Sequence, residues 1–221
     1  MPPPIADDPG FREVHFLVVD FEATTPAGHP PEPVEVAALG LRHRERSGPQ
    51  PSGFRWEALM RPPARAPLTP RATAHTGIRP EQLAGEPPAE VVLRRLDEQV
   101  PPGPAVLVAH SAPVEAGIVH RYRTACPRLA RLPVLDTIRM AKSALPGLSS
   151  YGLDALLDHT GLPRPSRRHR AMPDVEATAR LFQLLLAELA RAAKVRSLTE
   201  LVSRFALPAE ATRPRQLTLD E

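Results

Sequence analysis

Two acids, Asp20 and Glu22, stand two residues apart at the far end of a run that includes Val14, Phe16, Val18 and Val19. β-Branched and aromatic residues in this density suit a buried strand, along which side chains repeat every two residues. Both carboxylates therefore point to the same side. Two like charges held together on an apolar strand cost free energy unless a cation sits between them. A strand that closes on a solvated acidic turn would satisfy the same local pattern, because exposed acids are common. Other groups could join the pair. Glu115 lies five residues past His110, and His169 lies five residues before Asp174. Asp136 follows a short apolar run, and Asp154 falls in a helical pattern. Acids gathered about a cation, with an imidazole that can take a proton near neutral pH, are suited to acid–base chemistry.

The elements that must position these groups can be read from periodicity and breakers. The spacing predicts strands over residues 13–20, 34–41 and 54–60, with a Pro/Gly loop at 25–33 and a polar, hairpin-like excursion at 42–53. Several prolines predict mostly irregular chain over residues 61–80. An amphipathic helix follows over 87–99, with Val91, Val92, Leu93 and Leu96 opposite Arg94, Arg95, Asp97 and Glu98. Short strands at 105–109 and 132–136 each run into a helix, over 113–124 and up to about 144. Further helices are expected over 148–161, 173–193 and 197–205. Early strands, then strands interleaved with helices, imply an α/β sheet with mixed pairing. The organisation expected is a flexible lead-in (1–12), one domain (13–193), a helical extension (194–206) and a flexible tail (207–221).

Composition narrows the class. The chain has 221 residues, enough for one ordinary domain with tails, and its aromatic content of 4% calls for an aliphatic core. A net charge of +3 is compatible with nucleic acid without requiring it. The single cysteine, Cys126, excludes an intrachain disulfide framework and fits a reducing compartment. The first residues carry neither a basic nor an apolar segment of the signal-peptide kind, and no apolar run approaches the ~20 residues of a membrane span. A cytoplasmic protein is the expectation.

Three motifs in order carry a resemblance: Asp-Phe-Glu at 20–22, Val-Ala-His-Ser-Ala-Pro-Val-Glu at 108–115, and His-Arg-Ala-Met-Pro-Asp at 169–174. Together they resemble the DEDDh (DnaQ-like) 3′–5′ exonuclease family, which includes the proofreading epsilon subunit of bacterial DNA polymerase III and the Eri1-like exoribonucleases. Residues 34–39, 73–78 and 153–157 resemble further segments of that family. The resemblance implies a ribonuclease H-like fold, with a mixed central β-sheet flanked by α-helices. It implies phosphodiester hydrolysis at the 3′ end of single-stranded DNA or RNA, assisted by two divalent ions, Mg²⁺ or Mn²⁺. Such hard ions prefer carboxylate oxygen and can activate water and steady the leaving oxygen. By the same resemblance Asp20, Glu22, Glu115 and Asp174 hold the metals, and His169 is the general base. Phe21, Ala23, Thr24, His75, Ile78, His110 and Ser111 fall where substrate would pass, although strand alternation turns Phe21 away from the acids. Arg170, in the basic cluster around His169, could hold a phosphate.

The chain also departs from the family pattern. Ser111 stands where asparagine is usual, and Glu115 where aspartate is usual. Glutamate keeps the charge but is one methylene longer, and Mg²⁺ demands near-ideal octahedra. Three outcomes are compatible with the sequence: a shifted helix that lets Glu115 ligate, a preference for Mn²⁺, or a weakened site that leaves a nucleic-acid-binding domain. A protein-interaction module using the Pro-rich loops and the tail is a further alternative. In that tail, Gln-Leu-Thr-Leu at 216–219, bounded by Gln216 and Leu219, resembles the start of a sliding-clamp binding motif without its terminal aromatic.

Overall fold

The acid-bearing run forms the middle strand of a sheet. The computed structural model describes residues 4–44, 48–166 and 168–208. Its strands are β1 (His15–Thr24), β2 (Glu32–Arg44), β3 (Gly48–Leu59), β4 (Ala105–Ala109) and β5 (Val134–Asp136). Their order across the sheet is β3-β2-β1-β4-β5. The β1–β2 and β2–β3 pairs are antiparallel, whereas β1–β4 and β4–β5 are parallel. In chain order the helices are α1 (Pro9–Glu13), α2 (Pro70–Thr76), α3 (Pro80–Leu83), α4 (Ala89–Gln99), α5 (Pro113–Arg121), α6 (Thr137–Ala144), α7 (Leu153–Thr160), α8 (Ala171–Arg191) and α9 (Leu198–Phe205). The mixed sheet flanked by helices is the architecture expected of the ribonuclease H-like class.

The alternation of β1 divides the core in two. Phe16 and Val18 pack with Val175, Leu181, Phe182 and Leu185 of α8. Leu17, Val19 and Phe21 pack on the other face with α4 and α5, through residues such as Val92, Leu93, Ala116 and Val119. The Phe16 and Phe182 rings meet at 5.1 Å between centroids. Burying such a side chain contributes about 1.5–3 kcal/mol. The 21-residue α8 is thereby fixed beneath β1, with its N-terminus beside the acids. No helix among the described residues is long and apolar enough to cross a membrane.

Several local expectations are corrected. β1 does not stop near residue 20: pairing with β2 continues to Thr24↔Glu32, so both acids lie within the strand. The 42–53 excursion is largely strand, since β2 runs to Arg44 and β3 begins at Gly48. Within the stretch expected to be irregular, α2 starts at Pro70, and the Thr69 side chain accepts a hydrogen bond from the Ala72 N–H at 3.1 Å. Proline at a first helical position lacks only an N–H that has no partner there, so it opens α2 rather than breaking it. α7 begins at Leu153, several residues later than expected.

The expected loose lead-in is also packed from Ile5 onward. Asp8 caps α1 by accepting from the Phe11 N–H at 3.2 Å, and it accepts from the Leu198 N–H at 2.7 Å. Ile5 and Phe11 are buried in the same core as Leu201 and Phe205 of α9. Both ends of the described chain therefore belong to one folded unit. The Leu207 N–H reaches the Val134 carbonyl at 2.9 Å. Residues 209–221, with the 216–219 clamp-like pattern, lie outside the described residues.

Candidate active site

Three elements bring the acids together. β1 carries Asp20 and Glu22 on its α8 face, and the strand register slips between Glu22 and Ala23. A bulge of this kind re-aims the chain at the edge of a site. Glu115 comes from the first turn of α5 and Asp174 from the first turn of α8, where the helix dipole favours a negative charge. Oxygens of Glu22 and Asp174 and a ring nitrogen of His169 all lie within 4.8 Å of one another. Glu22, Glu115 and Asp174 are 8%, 5% and 5% exposed, which few carboxylates tolerate without a partner. Yet Glu115 Oε2 and Asp174 Oδ1 are buried with no hydrogen-bond partner.

The electrostatics follow from that crowding. Burial, and then the charges of Glu115, Glu22 and Asp174, raise the Asp20 pKa well above its usual range. Burial, followed by Asp174 and Glu35, pushes Glu22 up to about 7. Glu115 rises to about 8, mainly through burial, with Asp136 and Glu22 adding and its own backbone N–H opposing. Each raised value records the cost of charging one more carboxyl in a buried, acid-rich site. The oxygen-rich set, with two buried oxygens left open, fits a hard divalent cation.

Further side chains hold these groups in place. Glu35 sits directly across from Glu22 in the β1–β2 ladder. Its charge is covered by Arg170, whose Nη2 donates to Oε1 at 2.6 Å and whose Nε lies 3.0 Å from Oε2. Glu35 Oε2 also accepts from the Ala171 N–H at 3.0 Å, so an acid on β2 caps α8 from across the sheet. His169 adopts a left-handed backbone, φ 60°, and its N–H donates to Asp174 Oδ2 at 3.1 Å. Ser111 is left-handed too, with φ 63°. Asp136, raised by burial, is partly relieved by hydrogen bonds from the backbone of Ile138, Ala112 and Ser111, so β5 braces the turn that leads to Glu115. Non-glycine residues in this region of φ are uncommon and persist where the surroundings enforce them.

The expected substrate contacts divide. His75 lies exposed at the end of α2 with its ring stacked on that of His169, centroids 3.6 Å apart. Ser111 is exposed and Ala23 is partly so. His110 is half-buried, with Nδ1 2.9 Å from Thr137 Oγ1 and Nε2 unpartnered. Burial, then Arg168, pushes its pKa down to about 4, so its ring is neutral. Four other residues have structural occupations. Ile78 is fully buried in a small cluster with Val34 and Leu83. Thr24 is fully buried, with Oγ1 donating to the Pro67 carbonyl at 3.0 Å and accepting from the Thr69 N–H at 3.1 Å. Phe21 packs in the opposite core, and Arg170 is engaged by Glu35. Each of the four is committed to packing or pairing in this structure.

Arg168 is the residue whose part was missed. Its Nη1 is ion-paired to Asp174, and its Nε lies 2.6 Å from Asp154 Oδ1. The available signal was its place immediately before His169, which also reads as a solvated basic loop.

The RNase_T family, described as exonuclease, matches residues 17–182. A DNA polymerase III subunit epsilon-like protein of Rhodobacter capsulatus is 33% identical over 187 residues, covering 83% of this chain and 25% of that protein. The chain thus spans about a quarter of that relative's length. The DNA polymerase III subunit epsilon of Aquifex aeolicus is 30% identical over 175 residues, covering 79% of this chain and 81% of that one. Among solved structures, exonuclease X in complex with 5′-overhanging duplex DNA superposes with a TM-score of 0.60 at 21% identity, covering 89% of this chain and 99% of the other. The match across most of the folded chain, together with the convergence of the three motifs, shows that this chain belongs to the RNase_T exonuclease family, among its DnaQ-like DEDDh members.

Proposed function

We propose that the chain is a metal-dependent 3′–5′ exonuclease acting on the 3′ end of single-stranded DNA or RNA. The observation that carries the reading is the meeting of Asp20, Glu22, Glu115 and Asp174 from three elements, with His169 against two of them. These four acids would hold two divalent ions, Mg²⁺ or Mn²⁺, which when bound supply a more acidic water and neutralise charge on the leaving oxygen. His169 takes the proton of the attacking water on the ring nitrogen that faces Glu22 and Asp174. Burial, then the His75 ring and Arg168, hold its pKa below the usual 6.5, so that nitrogen is free to accept at neutral pH. His75, stacked on the base, keeps the imidazole from rotating away. The exposed Ser111 and the partly exposed Ala23 flank the acids where a terminal nucleotide would lie.

The unpartnered Oε2 of Glu115 supports ligation by the longer side chain. A weakened, binding-only site is the rival, favoured by the Arg168 contact on Asp174. A protein-interaction module has less support, since Val114 is the large apolar side chain left exposed among the described residues. Contact with a sliding clamp rests on the tail pattern alone. A cytoplasmic setting belongs to the same proposal, supported by the lone, unbridged Cys126.

The test is a time course on 5′-labelled single-stranded DNA and RNA, with Mg²⁺ or Mn²⁺, beside His169→Ala. The expected result is a ladder shortening from the 3′ end, slowed about 10²–10⁴-fold in the variant. Folded protein that binds oligonucleotide but shortens neither polymer with either metal would give the binding-only reading the lead.

A further inference from the structure

Among the described residues, Arg168 brings positive charge directly against the acids of the site. Its guanidinium bridges two carboxylates of unequal exposure. The Asp174 side chain is 7% exposed and that of Asp154 is 40% exposed. Among the described arginines of the same loop, Arg164 is paired with Asp158 and Arg170 with Glu35. Nη1 covers Asp174 Oδ2, an oxygen of a proposed metal ligand, while Nε is anchored on Asp154. A guanidinium and a divalent ion cannot both neutralise the same carboxylate without repelling each other.

We propose that Arg168 is a tethered counter-ion that competes with the divalent metal for Asp174, with Asp154 as its tether. The inference rests on the reading of Asp20, Glu22, Glu115 and Asp174 as metal ligands. Arg168 steadies the crowded acids before metal binds, and metal binding turns its Nη1 off Asp174. Asp154 keeps the displaced guanidinium at the rim through Nε, so the cation is moved aside rather than lost to solvent. Metal affinity is thereby set by a side chain that does not ligate. Arg168 is a positioning residue, and the two partners of its guanidinium have opposite effects. Removing the arginine leaves Asp174 open, whereas removing Asp154 concentrates the guanidinium on Asp174.

The experiment is isothermal titration of the full chain with Mn²⁺ after EDTA treatment, for wild type, Arg168→Gln, Arg168→Lys and Asp154→Asn. Arg168→Gln should bind Mn²⁺ about tenfold more tightly than wild type, a change of one decade in Kd. Arg168→Lys should fall between them, because lysine keeps the charge but loses the planar two-carboxylate bridge. Asp154→Asn should bind more weakly than wild type. Folded Arg168→Gln with equal or weaker affinity, or Asp154→Asn with tighter affinity, would overturn the proposal. If either variant fails to fold, the wild-type protein still decides: the arginine Nε–H resonance of Arg168 should shift when Mg²⁺ is added, and an unmoved resonance during saturable binding overturns the competition. Absence of Mn²⁺ binding in every form overturns this inference together with the metal reading. Wild-type binding that Arg168→Gln leaves unaltered overturns this inference alone.

Discussion

Two sets of buried acids in this molecule behave in opposite ways. Asp97 is 5% exposed, yet Oδ1 accepts from the Leu129 N–H at 2.7 Å and Oδ2 from the Arg128 N–H at 3.3 Å. Glu35 is closed in the same manner by Arg170 and the Ala171 N–H, and Glu32 by the Tyr122 hydroxyl and Arg121. The acids around Asp20 are not closed. Two of their buried oxygens have no partner, and three of the carboxyls have raised pKa values. A buried carboxylate with its hydrogen bonds made is a structural part. One left open in a crowd of like charges destabilises the fold and persists where a ligand offsets it. Depth of burial therefore does not separate function from structure here; completeness of pairing does.

The sharpest way to break this comparison is to neutralise one acid of each kind. Asp20→Asn should lower exonuclease activity about 10³-fold or more, as expected when a group acting directly on the reaction is removed. Its metal-free Tm at pH 8 should stay level or rise, because a repelling charge has gone. An equal loss of activity and stability would place Asp20 with the structural acids. Asp97→Ala should do the reverse. It leaves the Leu129 N–H without its acceptor and should cost about 1–3 kcal/mol in denaturant unfolding, with activity per folded molecule retained.

A smaller effect is expected from pH. Glu22 at about 7 and Glu115 at about 8 both lie above their ordinary 4.5, so the folded protein holds protons that the unfolded chain releases. Their stabilising contribution is complete below about pH 4.5 and is lost as pH rises through about 7 and 8. In EDTA, unfolding free energy should therefore fall by about 1–3 kcal/mol between mildly acidic and mildly alkaline solution. Glu115→Gln should flatten that slope, and saturating Mn²⁺ should flatten it in wild type. A slope of the opposite sign would mean that the site acids are already neutralised within the protein.

Much of the site was legible in the chain because its signals are local. The two-residue step from Asp20 to Glu22 puts both acids on one face of β1, whatever lies beneath. The five-residue step from His169 to Asp174 spans the entry to α8, where the histidine N–H meets the acid. Proline misled in two places. Pro9 and Pro70 open α1 and α2 behind capping side chains, so stretches that looked irregular are helical and packed. Capping residues were present at both, Asp8 and Thr69, but a proline count outweighs them when chain is scanned for breakers.

The sequence by itself determined the strand that carries the first acids, the two amphipathic layers that cover it, and the chemistry of the groups set at their ends. Those follow from periodicity and side-chain type, which neighbouring residues fix. Tertiary structure alone decided which cation covers which acid. Arg170 and Glu35 are 135 positions apart and still form a pair, which engages an arginine that the local order leaves open. Arg168, two residues away, faces the site acids instead, and Ile78 and Thr24 turn inward. Charge pairing depends on distance and solvent access after packing, and neither is written in the local order of residues.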